Sequence, residues 1–344
     1  MKDLWNYLKK TKKPIVLYGM GNGADKILSV CKEKGINISG VFSSDAFVRE
    51  KTFHGMRVTD YNTAKETFGD MTVLVAFGTQ LPGVIENIKR ISRECELYFP
   101  DVPVCGEELF DGEFYGSRKA RFDKIYGILA DEQSKKVFKN IVNFKLTGDI
   151  NCLFGCETED DEAYGSFLEL SGAETYLDLG AYRGDTVLSF LERVTGYEGI
   201  IALEPDPKSY EKLLAATAHI YNIRCINAAA AEHCGSKPFN TGGSRGFGAA
   251  CKTATVKTVS VDSLGVSPTY IKMDIEGDEL SALSGAAETV RKLRPKMKIA
   301  AYHRTDDLVS IPEKVLSLCP DYKVYLRHTP CLPAWDVFYY FISA

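Results

Sequence analysis

The chain has 344 residues, enough for about two domains of ordinary size. Lys plus Arg number 42 against 46 Asp plus Glu, giving a formal charge of −4, so no global field draws the chain to nucleic acid or to an anionic membrane. Residues 1–14 are charged and lack an apolar core of signal-peptide length, and no run approaches the roughly 20 apolar residues that span a bilayer; the expectation is a soluble, cytoplasmic protein without membrane insertion.

The first element is Ile15 to Tyr18, an apolar run that reads as a strand. Gly19, Gly21 and Gly23 break it, and Ile27, Leu28, Val30 and Cys31 then recur at helical spacing until Gly35 ends the helix. Strands are predicted over residues 36–42 and 72–77, followed by an amphipathic helix carrying Val84, Ile85, Ile88 and Ile91 and a short strand over 96–99. Residues 1–105 are therefore expected to form a small Rossmann-like α/β domain. Its glycine turn lacks the full dinucleotide fingerprint, because Ala24 stands at the final glycine position. With Asp45 placed to receive a ribose, the turn is open to three readings: a nucleotide or sugar-nucleotide site, a packing module, or the surface of a homodimer.

Residues 106–165 keep a helical period through Ile125, Ile128, Leu129, Val137, Ile141 and Phe144. An apolar stripe of this kind needs a surface to cover, so the segment is expected to be a helical connector. The ten cysteines form no CxxC pair, which favours free thiols over zinc ligands.

Residues 166–344 read as a second α/β unit. Strands are predicted over 175–179, 199–204, 223–227, 269–275, 297–302, 322–326 and 337–342, with helices over 185–194, 206–219, 278–293 and 312–318. Alternation of this kind gives a parallel sheet covered on both faces. The last two strands are joined by a short Pro-rich connection, too short for a crossover helix, and should form an antiparallel hairpin.

Three strand ends in this unit carry polar chemistry. Asp178, Gly180, Ala181, Tyr182, Gly184, Asp185 and Thr186 make an acidic strand end, a tight turn and a helix start. That combination suits the zwitterionic amino-acid end of S-adenosylmethionine better than a pyrophosphate, which the carboxylate would repel. Glu204 ends the next strand and offers a carboxylate to two ribose hydroxyls, with Pro205 and Asp206 opening the following helix. Asn227, Ala228 and Ala229 end the third with a polar side chain and room for an adenine ring.

Lys272, Asp274, Glu276, Asp278 and Glu279 then concentrate charge at the end of the fourth strand. Lys272, Asp274 and Glu276 share one face, so Lys272 is expected to pair with one of the two acids. Asp278 and Glu279 read as charge complementing a helix N-terminus. Asp274, Glu276 and Glu279 could alternatively hold a divalent metal, though no metal is assigned. His303 follows the fifth strand, with an ordinary pKa near 6.5 that suits proton removal; His328 is a second candidate. Residues 241–248 form a glycine-rich segment in which Arg245 offers a cation to an anionic acceptor.

In the order Asp178 to Ala181, Glu204 to Pro207 and Lys272 to Glu279, the sequence resembles the FkbM-type methyltransferase family, in its bacterial subgroup with an N-terminal Rossmann-like domain. The family commonly has Asn where this chain has Tyr182. The resemblance implies a class I methyltransferase Rossmann-like sheet of seven strands over residues 166–344, S-adenosyl-L-methionine as cofactor, and O-methyl transfer to a hydroxyl of a glycan, a sugar-containing compound or a secondary metabolite. Asp274, Glu276, His303 and Lys272 are then the residues expected at the acceptor, with Asp274 expected at the cofactor as well. The competing readings are an NAD(P)-dependent oxidoreductase and a non-catalytic nucleotide-binding protein.

Overall fold

The structure, a computed structural model, describes residues 3–44, 52–241 and 252–343. Asp45 and Arg245 lie outside the described residues.

Strands β1 (Ile15–Tyr18), β2 (Gly40–Phe42), β3 (Thr52–Phe53), β4 (Met56–Thr59), β5 (Thr72–Val75) and β6 (Glu96–Tyr98) form one sheet in the order β3-β4-β2-β1-β5-β6. All four residues of β1 are buried, as a central parallel strand covered on both faces requires. β2 is shorter than the predicted 36–42, because the Ile36 amide closes the preceding helix on the Cys31 carbonyl at 2.8 Å. The hairpin of β3 and β4 and the eight-residue helix Tyr61–Phe68, capped by Asp60, were not legible from periodicity; each is too short to establish a pattern.

The connector consists of helices Gly112–Ile128 and Glu132–Thr147. Each starts at an aspartate whose carboxylate accepts first-turn amides, Asp111 from Glu113 and Phe114 and Asp131 from Ser134. Their buried faces carry Phe114, Phe122 and Ile125, and Val137, Phe138, Ile141 and Phe144. One hydrophobic core runs from Val16 and Tyr18 of the first sheet through these helices to Tyr176 and Ile271 of the second.

The second sheet uses β7 (Thr175–Leu179), β8 (Gly199–Leu203), β9 (Ile223–Ile226), β13 (Tyr270–Met273), β14 (Lys296–Ala300), β15 (Lys323–His328) and β16 (Val337–Ile342) in the order β15-β16-β14-β13-β7-β8-β9. β16 runs antiparallel to both β14 and β15, so the expected hairpin is present and inserts its last strand into the sheet. Two features departed from expectation. A small sheet of β10 (Ala229–Ala230), β11 (Gly235–Thr241) and β12 (Lys252–Val259) stands beside the main one. The helix predicted over 278–293 is two, Glu279–Ser284 and Ala287–Leu293, broken at Gly285, where a Cβ would run into the Ala231 carbonyl.

The halves are joined directly. Thr79 and Leu332 exchange backbone hydrogen bonds at 2.7 and 3.0 Å, and Trp335 packs so closely on Gly78 that a Cβ there would strike its ring. Arg121 forks onto Asp306 and Glu313, at 2.9 and 2.7 Å. Among the described residues the cysteines are free thiols, and no helix is long and apolar enough to cross a membrane.

A core shared by both sheets should unfold as one unit. Phe122→Ala removes a ring in contact with Phe110, Tyr115 and Phe138 and is expected to cost about 3–5 kcal/mol. Calorimetry should show one transition moved to lower temperature; two transitions, only one of them moved, would contradict a continuous core.

Candidate active site

The site lies beyond the carboxyl ends of β7, β8 and β13, the edge where open parallel sheets place ligands. β7 leads into Gly180, with φ +85°, where a Cβ would collide with the Asp274 carbonyl. Only glycine lets this turn lie against the end of β13. Gly184, at φ +95°, starts the helix Asp185–Arg193. Between them Tyr182 also has a left-handed φ of +48°. Asn tolerates that region better than Tyr, consistent with the Asn that the resemblance implies at this position. The Tyr182 ring is 49% exposed and lies 4.7 Å from the Arg183 guanidinium.

The expectation that Asp178 contacts the ligand is corrected. Its side chain is fully buried, with one oxygen accepting from the Thr186 hydroxyl and the other 3.2 Å from the Lys272 ammonium. That second oxygen makes a charge contact without hydrogen-bond geometry. Lys272 also donates to the Gly180 carbonyl at 2.8 Å. Its close ion pair is therefore with Asp178, a partner the sequence reading did not choose, while Asp274 acts on it as a further electrostatic attraction. Burial opposes its charge, but Asp178 and Asp274 outweigh that and raise its pKa. Both residues build the turn from below, and neither Lys272 nor Asp178 faces an acceptor.

Glu204 is 6% exposed and accepts the Tyr182 amide at 2.9 Å on one oxygen and the Asp206 amide at 2.8 Å on the other. Four lone-pair sites less two leave it able to accept two further donors, as a ribose diol would supply. Burial pushes its pKa up to about 7. Asp206 serves as the cap of helix Pro207–Thr217, one carboxylate oxygen accepting the Ser209 amide at 2.9 Å. Asn227 donates to the carbonyls of Glu204 and Pro205 at 2.8 and 3.2 Å and fixes that loop. Ala228 and Ala229 are buried behind it.

At the end of β13, Asp274 is partly exposed, 26% at the side chain. His303 has its Nε2 3.3 Å from Asp274 and its Nδ1 2.9 Å from Glu279, which also accepts the Ile275 amide. Tyr302 donates to Asp274 at 3.1 Å. The result is a ladder of Glu279, His303 and Asp274, of which only the last meets the crevice. Two expectations change. Glu279 is 1% exposed and oriented on His303, so it is more than a helix-end charge. His303 is 1% exposed as well; burial lowers its pKa, but Glu279 and Asp274 overcome this and lift it to about 9. It is an imidazolium at neutral pH, unsuited to accept a proton. Tyr302 was missed by the sequence reading because an aromatic at a strand end looks like core.

Asp274, Glu279 and His303 present ligand atoms within 4.8 Å of one another. Both ring nitrogens of His303 are already directed to carboxylates, so the imidazole stands where a metal ion would between Asp274 and Glu279. Glu276, part of the metal set considered from sequence, is not in this group. Glu276 and Gly277 instead form a left-handed pair with φ +57° and +93°. Two side chains hold them: the Cys105 thiol, from the end of the N-terminal unit, donates to the Glu276 carbonyl at 3.0 Å, and Arg304 Nε donates to that of Gly277 at 2.6 Å. His328 is buried in the hairpin, where burial lowers its pKa to about 4 and keeps it neutral.

A seven-stranded sheet with a terminal antiparallel hairpin, and polar strand ends at β7, β8 and β13, is the class I methyltransferase-like fold. Residues 178–323 match the family described as Methyltransferase FkbM domain, a match that implies S-adenosylmethionine as the cofactor. No curated protein matches. Among solved structures, methyltransferase FkbM from Methylobacillus flagellatus KT is similar in fold, with a TM-score of 0.76 at 24% identity over 96% of this chain and 90% of that one. Two more distant likenesses are fibrillarin from Aeropyrum pernix with bound S-adenosyl-L-methionine (TM-score 0.34, 14% identity, 53% of this chain and 71% of that one) and an rRNA methylase from Streptococcus thermophilus (0.36, 12%, 51% and 89%).

The residues present fit this cofactor. Glu204 has acceptor capacity for the ribose, and the turn at Gly180 has no side chain to keep main chain from the ligand.

Two pH dependences follow. A cofactor whose hydroxyls donate to Glu204 binds its ionised form, so affinity for S-adenosylhomocysteine should be constant above about pH 7 and fall below it; titration calorimetry should show Glu204→Gln binding more weakly and without that dependence. For His303, a folded pKa raised from 6.5 to about 9 means that the ladder's stabilisation is complete below pH 6.5 and lost as pH rises through 9. The gap in thermal midpoint between wild type and His303→Gln should shrink over that window; a constant gap would contradict a charged His303.

Proposed function

We propose that the chain is an O-methyltransferase acting on a hydroxyl of a small molecule, a sugar-containing compound, glycan or secondary metabolite. The observation that carries this reading is Asp274: a partly exposed carboxylate at the end of the central strand, held by Tyr302 and backed by a charged His303. Bound S-adenosylmethionine supplies an electrophilic methyl group.

Asp274 accepts the acceptor's O–H as a hydrogen bond and aligns the oxygen with that methyl. As the new C–O bond forms and the C–S bond breaks, the hydroxyl becomes acidic and its proton passes to Asp274. His303, fixed by Glu279, keeps Asp274 turned to the crevice; it is a positioning residue. Glu276, on its left-handed turn, stands at the same edge and is proposed to help hold the acceptor. The ribose would rest on Glu204, and the amino-acid end on the turn from Gly180 to Gly184.

Incubating the protein with small-molecule extracts and a methyl-deuterated donor, then searching by mass spectrometry for a three-deuterium methyl gain, tests the reading. Asp274→Asn keeps the size and loses the base, so kcat should fall about 10²–10⁴-fold while affinity for S-adenosylhomocysteine stays within about threefold. Label appearing on amine or carbon positions, or full turnover by the Asn variant, would exclude the scheme.

A further inference from the structure

The N-terminal sheet has two openings at its carboxyl edge that methyl transfer does not use. One, at the ends of β1 and β2, is a cavity of about 180 Å³ lined by Tyr18, Ser43, Ser44, Asn62, Asn87 and Arg90. A cavity of about 150 Å³ admits a benzene ring, so a furanose or pyranose fits here by size. Its polar groups hold one another in place. The Tyr18 hydroxyl lies 3.2 Å from that of Ser44 and accepts from Asn87 at 3.1 Å, while Arg90 donates twice to the Asn87 carbonyl oxygen at 3.2 and 3.0 Å. A stacked pair, Tyr18 and Phe42 with centroids 4.6 Å apart, backs them. Hydroxyls and amides so gathered suit a ring that carries hydroxyls; an apolar one would leave them without partners.

The second opening lies on the other side of β1, between the glycine turn and the ends of β5 and β6. It is lined by Gly23, Lys26 and Phe77 and closed by Trp335 from the methyltransferase half. Gly19 and Gly21 have φ of +108° and +102°, and a Cβ on Gly23 would collide with the Ala76 carbonyl, so this turn too requires glycine. Lys26 donates to the carbonyls of Pro103 and Val104, each at 2.7 Å. Two of its three ammonium protons are thereby used, leaving one for an anion.

The two openings flank β1 where the strand order reverses, β2 and β4 on one side and β5 and β6 on the other. A crevice of this form takes a two-part ligand joined across the turn. We propose that the N-terminal crevice is a second binding site, for a nucleoside diphosphate ester: the ribose sits in the Tyr18–Arg90 cavity, the diphosphate crosses the glycine turn toward Lys26, and the second group lies against Trp335. Arg90, which also pairs with Glu94 at 2.8 Å, and two serines line the ribose cavity as hydrogen-bond donors. A sugar nucleotide and a phosphorylated dinucleotide share the required chemistry.

Titration calorimetry of the full chain with UDP-glucose and with NADP+, each with and without saturating S-adenosylhomocysteine, tests this independently of the methyltransferase reading. At least one probe should bind, with and without S-adenosylhomocysteine, and the responding probe identifies the source. Asn62 is exposed at the cavity mouth. Asn62→Trp, which fills the cavity, and Arg90→Ala, which removes its cation, should each weaken binding at least about tenfold, with S-adenosylhomocysteine affinity unchanged as the control for folding. No binding of either probe up to about 1 mM, binding unaltered in both variants, or displacement of the probe by S-adenosylhomocysteine would overturn the proposal.

Discussion

Lys272 and Asp178 face each other 3.2 Å apart on neighbouring strands, both nearly without exposure to water. Two charges so buried have given up hydration, and each is tolerable only because the other is present; removing either partner of such a pair costs about 3–5 kcal/mol. Their geometry sets the crevice. Lys272 spends a second donor on the Gly180 carbonyl, Asp178 accepts from Thr186 at the start of the following helix, and the turn between them is pressed against the end of β13. The Glu204 carboxylate and the Asp274 side chain, the groups proposed to face the ligands, stand on either side of that turn. A pair that a sequence reader assigns to binding is thus the support on which binding depends.

Charge is handled the same way one strand further on. Glu279, His303 and Asp274 alternate in sign, so the buried imidazole is stabilised as a cation and the outermost carboxylate is held in place. The end of the N-terminal unit closes this region from outside: the amide of Cys105 donates to the His303 carbonyl at 2.8 Å, and its thiol to that of Glu276. Since the residues just before it, 99–104, line the N-terminal groove on its other side, the two halves of the chain share a wall as well as a core. The connector helices therefore do more than link two sheets; their apolar stripes supply the interior between them.

The sequence by itself determined the two α/β units, the glycine turns, the parallel order implied by alternation and the antiparallel terminal hairpin. Each follows from local constraints that leave a pattern: continuous apolar runs for covered strands, glycine where φ must be positive or backbones touch, and a connection too short to cross over. It also located the chemistry at the ends of β7, β8 and β13, because charge at the end of an apolar strand stands out. Only the tertiary structure decided what each charge does. Strand alternation put Lys272, Asp274 and Glu276 on one face, but the register of β13 against β7 gave Lys272 to Asp178, and the left-handed backbone at Glu276 ended the alternation before it reached that residue. The ionisation of His303 depends on Glu279, 24 positions away, and on the exclusion of water around both. A pKa is set by distance and burial in space, and neither is written in the order of residues along the chain.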